Sequence, residues 1–189
     1  YRREHYLAKL RPFYDDAGLI KVVTGIRRCG KSSLLCSVMD ELRERGVSEG
    51  DICYINLDRR EYQDVNTPEK LDAVIEHSLG KSASMRYLFI DEIQNVKGYE
   101  TIVNGWREEG DCSIFITGSN SYLLSGELAT KLTGRYIELE MFTLSFNEYL
   151  GMREYLGLPK KPESQVFQEY LTYGGFPKAL EYEDLDAKA

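Results

Sequence analysis

The sequence predicts an α/β fold in which a parallel β-sheet lies between two layers of helices. Short runs rich in β-branched residues alternate with longer segments whose apolar residues repeat at helical spacing. The short runs are apolar at consecutive positions, which is typical of strands buried on both faces of a parallel sheet. With 189 residues, the chain is long enough for one domain with its own core and a smaller appended segment.

Five strands are predicted from the apolar runs. They cover, in chain order, residues 19–24, 52–57, 87–90, 112–117 and 136–141. A helix follows the first strand and ends at Gly46, and a second helix begins near Pro68, because proline is favoured in the first helical turn. A third helix is predicted over 99–109. After the fifth strand the pattern contains helices only, at 145–155 and 163–173.

This change of pattern predicts that the chain has two parts. Residues 1–142 are expected to form the α/β core together with an amino-terminal helix. Residues 143–189 are expected to form a short helical segment that leads into a further, carboxy-terminal domain. No internal repeat and no low-complexity segment interrupts either part.

The composition excludes several classes of protein. The net charge is -7, from 24 Lys and Arg against 31 Asp and Glu, which argues against a domain that coats nucleic acid by charge alone. No apolar run approaches the roughly 20 residues of a membrane-spanning helix, so we expect no membrane partner. The 4 cysteines are scattered without a C-x-x-C pair, so neither a zinc ribbon nor a disulfide framework is indicated, and a cytoplasmic location is expected.

A segment with a phosphate-binding pattern follows the first strand directly. Residues 25–32 match G-x-x-x-x-G-K-[ST] at every fixed position. Glycines let backbone N–H groups curl around phosphate oxygens, and the following helix directs its positive end at the same anion. Lys31 is expected to reach the β- and γ-phosphates and Ser32 to hold Mg²⁺. The alternative, a chance glycine turn, is disfavoured by the position between a strand and an amphipathic helix.

This segment supplies the residues that we expect to bind the nucleotide. They are Gly25, Ile26, Arg27, Arg28, Cys29, Gly30, Lys31, Ser32 and Ser33. Arg27 and Arg28 could resemble a nucleic-acid patch. We interpret them instead as positive potential near the phosphates or as partners in local salt bridges.

Two carboxylates end the third strand. Asp91 is expected to hold Mg²⁺ together with Ser32, and Glu92 stands where a carboxylate can orient and deprotonate a water for attack on the γ-phosphate. The alternative is that the two acids cap a strand at the surface. The extra strand at 52–57 is typical of the division of phosphate-loop proteins that contains a hydrolytic glutamate, so hydrolysis is favoured over phosphotransfer. No N-K-x-D follows the fourth strand, which disfavours guanine as the base.

Three further residues are candidates for the catalytic site. Ser119 and Asn120 follow the fourth strand, where a short polar side chain can contact the γ-phosphate or the attacking water. Either residue could instead cap a following helix. Arg135 precedes the fifth strand on a glycine turn and could supply positive charge to the transition state, in its own site or in a neighbour's. Equally, it could be a surface arginine paired with Glu138 or Glu140.

With these motifs the chain resembles prokaryotic AAA+ ATPases, in particular AAA-domain proteins that carry a carboxy-terminal domain of unknown function. The resemblance covers nearly the whole chain, in segments 19–32, 87–94, 116–120, 132–135 and 144–150. It implies the P-loop NTPase fold, a three-layer αβα arrangement with a five-stranded parallel sheet in the order 5-1-4-3-2, and Mg-ATP as ligand. It also implies that residues 170–177 lead into a second, helical domain with winged-helix character.

The function favoured by these observations is Mg-dependent ATP binding and hydrolysis, coupled to the carboxy-terminal domain. Two alternatives stay open: a regulatory ATP-binding module with negligible turnover, and the ATPase arm of a nucleic-acid-processing or defence system. The expected partners are ATP and Mg²⁺, the protein's own carboxy-terminal domain, and further copies of the chain in a homo-oligomer. Nucleic acid is expected only as a partner of the full-length protein.

Overall fold

The computed structural model describes residues 1–79, 85–119 and 134–181. Within these ranges the chain forms a five-stranded sheet in the order β2-β3-β4-β1-β5, and all four strand pairs are parallel. The strands are β1 (Ile20–Gly25), β2 (Ile52–Asn56), β3 (Arg86–Asp91), β4 (Cys112–Gly118) and β5 (Tyr136–Met141). Read from the other edge this is the order 5-1-4-3-2, so the predicted topology is confirmed.

Apart from the amino-terminal helix, for which the sequence predicts no bounds, the helices of the described residues lie close to their predicted bounds. They are α1 (Glu4–Leu10), α2 (Lys31–Glu44), α3 (Pro68–Ser78), α4 (Tyr99–Glu109), α5 (Phe146–Tyr155) and α6 (Glu163–Tyr173). Predicted and observed ends coincide for α4, β5 and α6. Across the three described ranges, no helix has both the length and the apolar character that a membrane span requires.

Two apolar cores cover the two faces of the sheet. α3 and α4 pack on one face, where Leu71 and Val103 are fully buried. α1 and α2 pack on the other face, where Leu35 is fully buried. Consecutive strand residues alternate between these cores, so that Val22 belongs to the first and Val23 to the second. The result is the three-layer arrangement expected of an α/β fold.

Position in the sheet explains which strands are buried at every residue. The central strands β1, β3 and β4 are buried at every residue. The edge strands β2 and β5 contain partly exposed positions, and in β2 these alternate with buried ones. A central strand is covered by helices on both faces and by strands on both sides, whereas an edge strand is less completely covered.

After β5 the chain forms a small helical unit with its own apolar cluster. α5 begins with a capping box, in which Ser145 and Glu148 each accept a hydrogen bond from the other's backbone N–H. α6 is followed by a 3-10 turn, Pro177–Glu181. Gly175 fastens this turn to the link before α5: the Leu144 N–H donates to its carbonyl oxygen at 2.7 Å, and a Cβ atom at Gly175 would lie 2.2 Å from the Leu144 carbonyl oxygen. The domain boundary expected at the end of β5 stays a prediction.

Candidate active site

The predicted site residues converge because the carboxyl ends of parallel strands meet at one edge of the sheet. β4 lies between β1 and β3, so the segments that follow these strands are neighbours. Residues 25–32 end β1 and follow it, Asp91 ends β3 with Glu92 directly after it, and Ser119 follows β4 and is partly buried. This edge is where ligands bind in open α/β sheets. Asn120 lies outside the described residues.

The phosphate loop, residues 25–32, contains three residues with positive φ. These are Gly25 at 147°, Arg28 at 68° and Gly30 at 109°. A Cβ atom at Gly25 would lie 2.4 Å from the carbonyl oxygen of Met141, so glycine is required there. α2 begins at Lys31, so the free N–H groups of its first turn adjoin the loop. Alternation of left- and right-handed residues forms the concave row of N–H groups that binds anions.

Lys31 bends back over the loop. Its ammonium donates hydrogen bonds to the carbonyl oxygens of Gly25 at 3.1 Å and Ile26 at 3.3 Å. The same nitrogen lies 3.9 Å from a carboxylate oxygen of Glu92. The predicted phosphate-binding cation and the predicted general base are therefore next to each other.

A cleft of about 400 Å³ opens beside these two groups. The predicted residues that line it are Arg28, Gly30, Lys31, Ser32, Ser33 and Glu92. The rest of the loop contributes differently: Ile26 and Arg27 are exposed, and Cys29 is fully buried beneath the loop. Lys178 and Glu181, an ion pair at 2.5 Å, border the cleft from the 3-10 turn, where no sequence pattern predicts a role.

Asp91 is fully buried and held by three donors. The Thr117 hydroxyl donates to its Oδ1, while the Tyr54 hydroxyl at 3.0 Å and the Asn56 amide at 3.2 Å donate to its Oδ2. A buried carboxylate requires such partners because it has lost its water. Burial, and next the charge of Asp91, raise the pKa of Tyr54 above its usual value, so its hydroxyl stays a donor. The carboxylate therefore has a fixed orientation.

Glu92 adopts the left-handed conformation, with φ of 59°. This conformation costs a non-glycine residue about 1 kcal/mol or more, and such strain is concentrated at functional sites. The Glu92 N–H donates to the Thr117 hydroxyl at 3.0 Å, and the Gln94 side-chain amide donates to its carboxylate at 2.5 Å. The Thr117 hydroxyl therefore holds both acids: it contacts the side chain of Asp91 and the backbone N–H of Glu92.

Arg135 lies at the amino ends of the strands, whereas the phosphate loop lies at their carboxyl ends. It precedes β5 at the amino end of β1, where the Ile20 N–H donates to its carbonyl oxygen at 3.0 Å. The loop begins at the other end of β1, about 16 Å further along the strand at 3.3 Å per residue. The guanidinium contacts Glu108 at 3.2 Å and Asn104 at 3.5 Å. A role of Arg135 in its own site is therefore excluded by this geometry, and its salt-bridge partner comes from α4 rather than from β5.

A second cleft, of about 220 Å³, adjoins the first. Gly30, Ser33, Pro177 and Glu181 line both clefts. The second cleft is also lined by Leu34 and Ser37 of α2 and by residues from distant parts of the chain, namely Tyr1, Arg3, Leu144, Met152, Tyr155 and Leu156. No local sequence pattern links these residues, and only their long-range packing identifies them.

The residues present fit a Mg²⁺ ion bound together with phosphate. Mg²⁺ prefers oxygen ligands and binds through few protein groups, because it keeps several waters and takes further ligands from the phosphates. The Ser32 hydroxyl lines the cleft, and the three hydrogen bonds to Asp91 use three of the roughly four acceptor positions of a carboxylate. A contact between Asp91 and the ion through a water is compatible with this arrangement.

Curated relatives cover this chain almost completely. An uncharacterized protein of Haemophilus influenzae is 41% identical over 178 residues, which is 94% of this chain and 44% of that protein. The uncharacterized protein MJ1544 of Methanocaldococcus jannaschii is 31% identical over 175 residues, which is 89% of this chain and 38% of that protein. The chain thus spans less than half the length of these relatives.

Solved structures show the same fold at low sequence identity. The Orc1 protein of Aeropyrum pernix, solved in complex with DNA, matches with a TM-score of 0.66 and 16% identity, over 95% of this chain and 57% of that one. The ADP complex of Hsp104 from S. cerevisiae matches with a TM-score of 0.62 and 16% identity, over 96% of this chain and 29% of that one. The profile of a protein family described as "AAA domain" matches residues 18–150. Because this match covers well over half of the chain and includes the phosphate loop and both carboxylates, the chain belongs to the AAA-domain family of AAA+ P-loop proteins.

Proposed function

We propose that this chain binds Mg-ATP in the larger cleft and hydrolyses the bond to the γ-phosphate. The observation that carries the proposal is the pairing of Lys31 and Glu92, whose charged groups lie 3.9 Å apart at one cleft. Attack of water on a phosphoryl group requires a cation at the phosphate oxygens and a base for the water proton. The two side chains supply these groups.

Each residue then has a specific role. The backbone N–H groups of the loop and Lys31 bind the β- and γ-phosphates. Ser32 and Asp91 hold Mg²⁺, which supplies charge neutralisation of the phosphate oxygens when bound. Glu92 accepts the water proton at its carboxylate, and Ser119 contacts the γ-phosphate from the end of β4. Asn120 shares that role in the proposal.

The adenine ring occupies the smaller cleft. This cleft shares lining residues with the phosphate cleft, so one ligand can enter both. Its walls combine the aromatic side chains of Tyr1 and Tyr155 with the apolar side chains of Leu144 and Met152. Flat, mostly apolar surfaces of this kind are typical of base-binding sites.

Arg135 acts on the site of a neighbouring copy. It is half exposed at the edge of the sheet away from its own phosphate loop, which leaves its guanidinium accessible to a second subunit. An arginine supplied by a neighbour can stabilise the charge of a phosphoryl-transfer transition state. Such a site is complete only in a homo-oligomer.

A regulatory module that binds ATP with negligible turnover is the second candidate. It is favoured by the contacts of Glu92, because Gln94 and Lys31 both hold its carboxylate and Arg135 is absent from its own site. The two candidates differ in a single measurable quantity, the turnover per chain.

Parts of the wider assignment rest on the full-length protein. The chain spans less than half the length of its curated relatives. We therefore assign to the rest of the full-length protein the coupling of nucleotide state to a carboxy-terminal domain and any contact with nucleic acid.

All 4 cysteines have free thiols, which supports a reducing, cytoplasmic environment.

The binding half of the proposal is tested by Lys31→Ala. The variant should bind Mg-ATP at least about 100-fold more weakly in calorimetry, since it loses a charge-assisted contact worth roughly 3 kcal/mol. Lys9→Ala removes an exposed lysine of α1 and serves as the control. Equal affinity of the Lys31→Ala and Lys9→Ala variants would remove the cleft as the nucleotide site.

The catalytic half is tested by steady-state hydrolysis at increasing protein concentration. Glu92→Gln should bind Mg-ATP normally and lower kcat by about 100-fold or more, because it keeps the shape of the side chain and loses the base. If turnover per chain rises with protein concentration in the wild type but not in Arg135→Ala, the site is completed by a neighbouring copy. Binding with equal, negligible turnover in wild type and Glu92→Gln identifies the regulatory module.

A further inference from the structure

Arg3 is a buried arginine that lines the smaller cleft beside the helical unit. It stands one residue before α1 and is 7% exposed. Its Nε and Nη2 donate to the two carboxylate oxygens of Glu148, each at 2.8 Å. Its Nη1 donates to the carbonyl oxygens of Phe142 at 2.7 Å and Cys29 at 3.2 Å, and its Nη2 also donates to that of Thr143 at 3.2 Å. A guanidinium has five N–H donors, and each of them has an acceptor here.

Tyr6 holds the same guanidinium from a different side. The central carbon of the Arg3 guanidinium lies 4.5 Å from the centroid of the Tyr6 ring, which is a cation–π distance. The Tyr6 hydroxyl accepts a hydrogen bond from the Phe142 N–H at 3.1 Å. Hydrogen bonds therefore fix the guanidinium within its own plane, and the Tyr6 ring restrains it in the direction perpendicular to that plane.

The contact with Cys29 orients a peptide of the phosphate loop. The Cys29 carbonyl belongs to the peptide that joins Cys29 to Gly30, and in a trans peptide the C=O and the N–H point in opposite directions. Fixing the carbonyl oxygen on Arg3 therefore directs the Gly30 N–H away from Arg3. Gly30 lines the phosphate cleft, where its N–H is one of the donors available to an anion.

The other contacts of Arg3 lie at the beginning of the helical unit. Phe142 and Thr143 form the link between β5 and α5, and Glu148 lies in the first turn of α5. Glu148 also closes the capping box with Ser145. One side chain thus connects the phosphate loop, the link and the first turn of α5 without an intermediate residue.

We propose that Arg3 is a positioning residue that couples the phosphate loop to α5. An anion bound by the Gly30 N–H restrains the Cys29–Gly30 peptide, and the guanidinium carries that restraint to residues 142–148. The inference rests on the proposed nucleotide binding at the same cleft. Arginine is required because its planar fork can hold a carboxylate with two bonds while donating three more, whereas lysine has three donors in total.

The cleanest variant is Glu148→Gln. Glutamine still accepts the Ser145 N–H, so the capping box is retained. Its amide presents a donor to one of the two Arg3 nitrogens, so the two-bond pair is lost. Arg3→Lys replaces the coupling residue itself by one without the planar fork. Arg2→Ala is the matched control, because the neighbouring Arg2 is exposed and paired with Glu44 on α2.

The experiment measures amide hydrogen exchange with and without Mg²⁺ and a non-hydrolysable ATP analogue. In the wild type and in Arg2→Ala, the analogue should slow exchange both in the first turn of α2 and at residues 142–149. In Glu148→Gln, affinity for the analogue should stay within about threefold, and protection of the α2 turn should persist. Protection at residues 142–149 should fall at least about fivefold, since the two-bond pair that links the Arg3 guanidinium to the first turn of α5 is lost.

The outcomes separate the inference from the proposed function. Full protection at residues 142–149 in Glu148→Gln, or protection confined to α2 in the wild type, overturns the role of Arg3 and leaves nucleotide binding intact. No protection of the α2 turn in the wild type overturns nucleotide binding, and the coupling with it. Arg3→Lys should lose protection at residues 142–149 as Glu148→Gln does, and retention of that protection in a folded Arg3→Lys protein also contradicts the proposal.

Discussion

Two buried lysines, one near the amino end of β1 and one at the start of the helix that follows the phosphate loop, show how differently one residue type can be used. Lys21 lies near the amino end of β1 and is fully buried, and its ammonium donates to the carbonyl oxygens of Asp16 at 2.6 Å and Leu19 at 2.9 Å and to the Ser113 hydroxyl at 2.7 Å. Lys31, after the carboxyl end, has two longer hydrogen bonds and lines an open cleft. The first ammonium has an acceptor for each of its three protons and holds the fold together. The second has weaker contacts that a phosphate can replace.

Ser113 extends the closed arrangement around Lys21. Its hydroxyl donates to the Tyr14 carbonyl oxygen at 2.6 Å, so the segment before β1 is tied to β4 through one hydroxyl and one ammonium. The two lysines therefore differ in their access to a ligand. The polar network at the amino end of β1 is satisfied within the protein, whereas Lys31, beyond the carboxyl end, faces a cleft.

The largest effect should be a loss of stability on replacing Lys21. Lys21→Met removes the donor of three acceptors, of which the Ser113 hydroxyl is buried and the two carbonyl oxygens are partly buried, and should lower the free energy of unfolding by about 2 to 4 kcal/mol. Lys31→Met should change it by less than about 1 kcal/mol, because its acceptors lie at a cleft. Urea denaturation of both variants tests the comparison, and equal destabilisation would show that both lysines are structural.

The next effect should be a pH dependence of the free energy of unfolding that is caused by Lys21. Burial lowers the pKa of Lys21 from 10.5 to about 8. Between these values the unfolded chain binds more protons than the folded chain, so the contribution of Lys21 to the free energy of unfolding rises with pH and is constant below about 8. The wild type should therefore gain up to about 1.4 kcal/mol per pH unit relative to Lys21→Met in this window. Parallel curves for the two proteins over pH 8 to about 10 would contradict the lowered pKa.

The smallest effect should follow the loss of the residue that orients Glu92. Gln94→Ala removes the amide that donates to the Glu92 carboxylate, so kcat should fall about 3- to 10-fold while the affinity for Mg-ATP is unchanged. Asn95→Ala is the control, since the neighbouring amide contacts Leu57 and Asp58 instead. Equal kcat values for the two variants would show that Glu92 needs no support from Gln94.

The features that could be predicted from the sequence are those fixed by local physical constraints. Consecutive apolar residues predict β1, β3 and β4 because these strands are buried on both faces. The phosphate loop can be recognised from its fixed glycines, since a Cβ atom at Gly25 would overlap the end of β5. Asp91 and Glu92 follow from the abrupt change from apolar to acidic residues at the end of a strand.

The residues that escaped prediction are those placed by long-range packing. Arg3 and Glu148 are 145 positions apart, and Tyr54 and Asp91 are 37 apart, so no periodic pattern relates them. The sequence leaves Arg135 with two interpretations, a catalytic arginine or a surface arginine paired with Glu138 or Glu140 of the following strand. The partner of Arg135, Glu108, comes from α4, which only the tertiary fold brings to the beginning of β5.

The position of β1 in the middle of the sheet determines when the phosphate loop can form during synthesis. β1 pairs on one side with β4 and on the other with β5. Both partners are made about 90 to 120 residues after it, and at roughly 5 to 20 residues per second the ribosome needs on the order of ten seconds to reach them. β2 and β3 are completed first and can pair with each other, while the strand that carries the loop still has two unpaired edges. The nascent chain therefore acquires its nucleotide site late, after β4 has been made and can join β1 to β3.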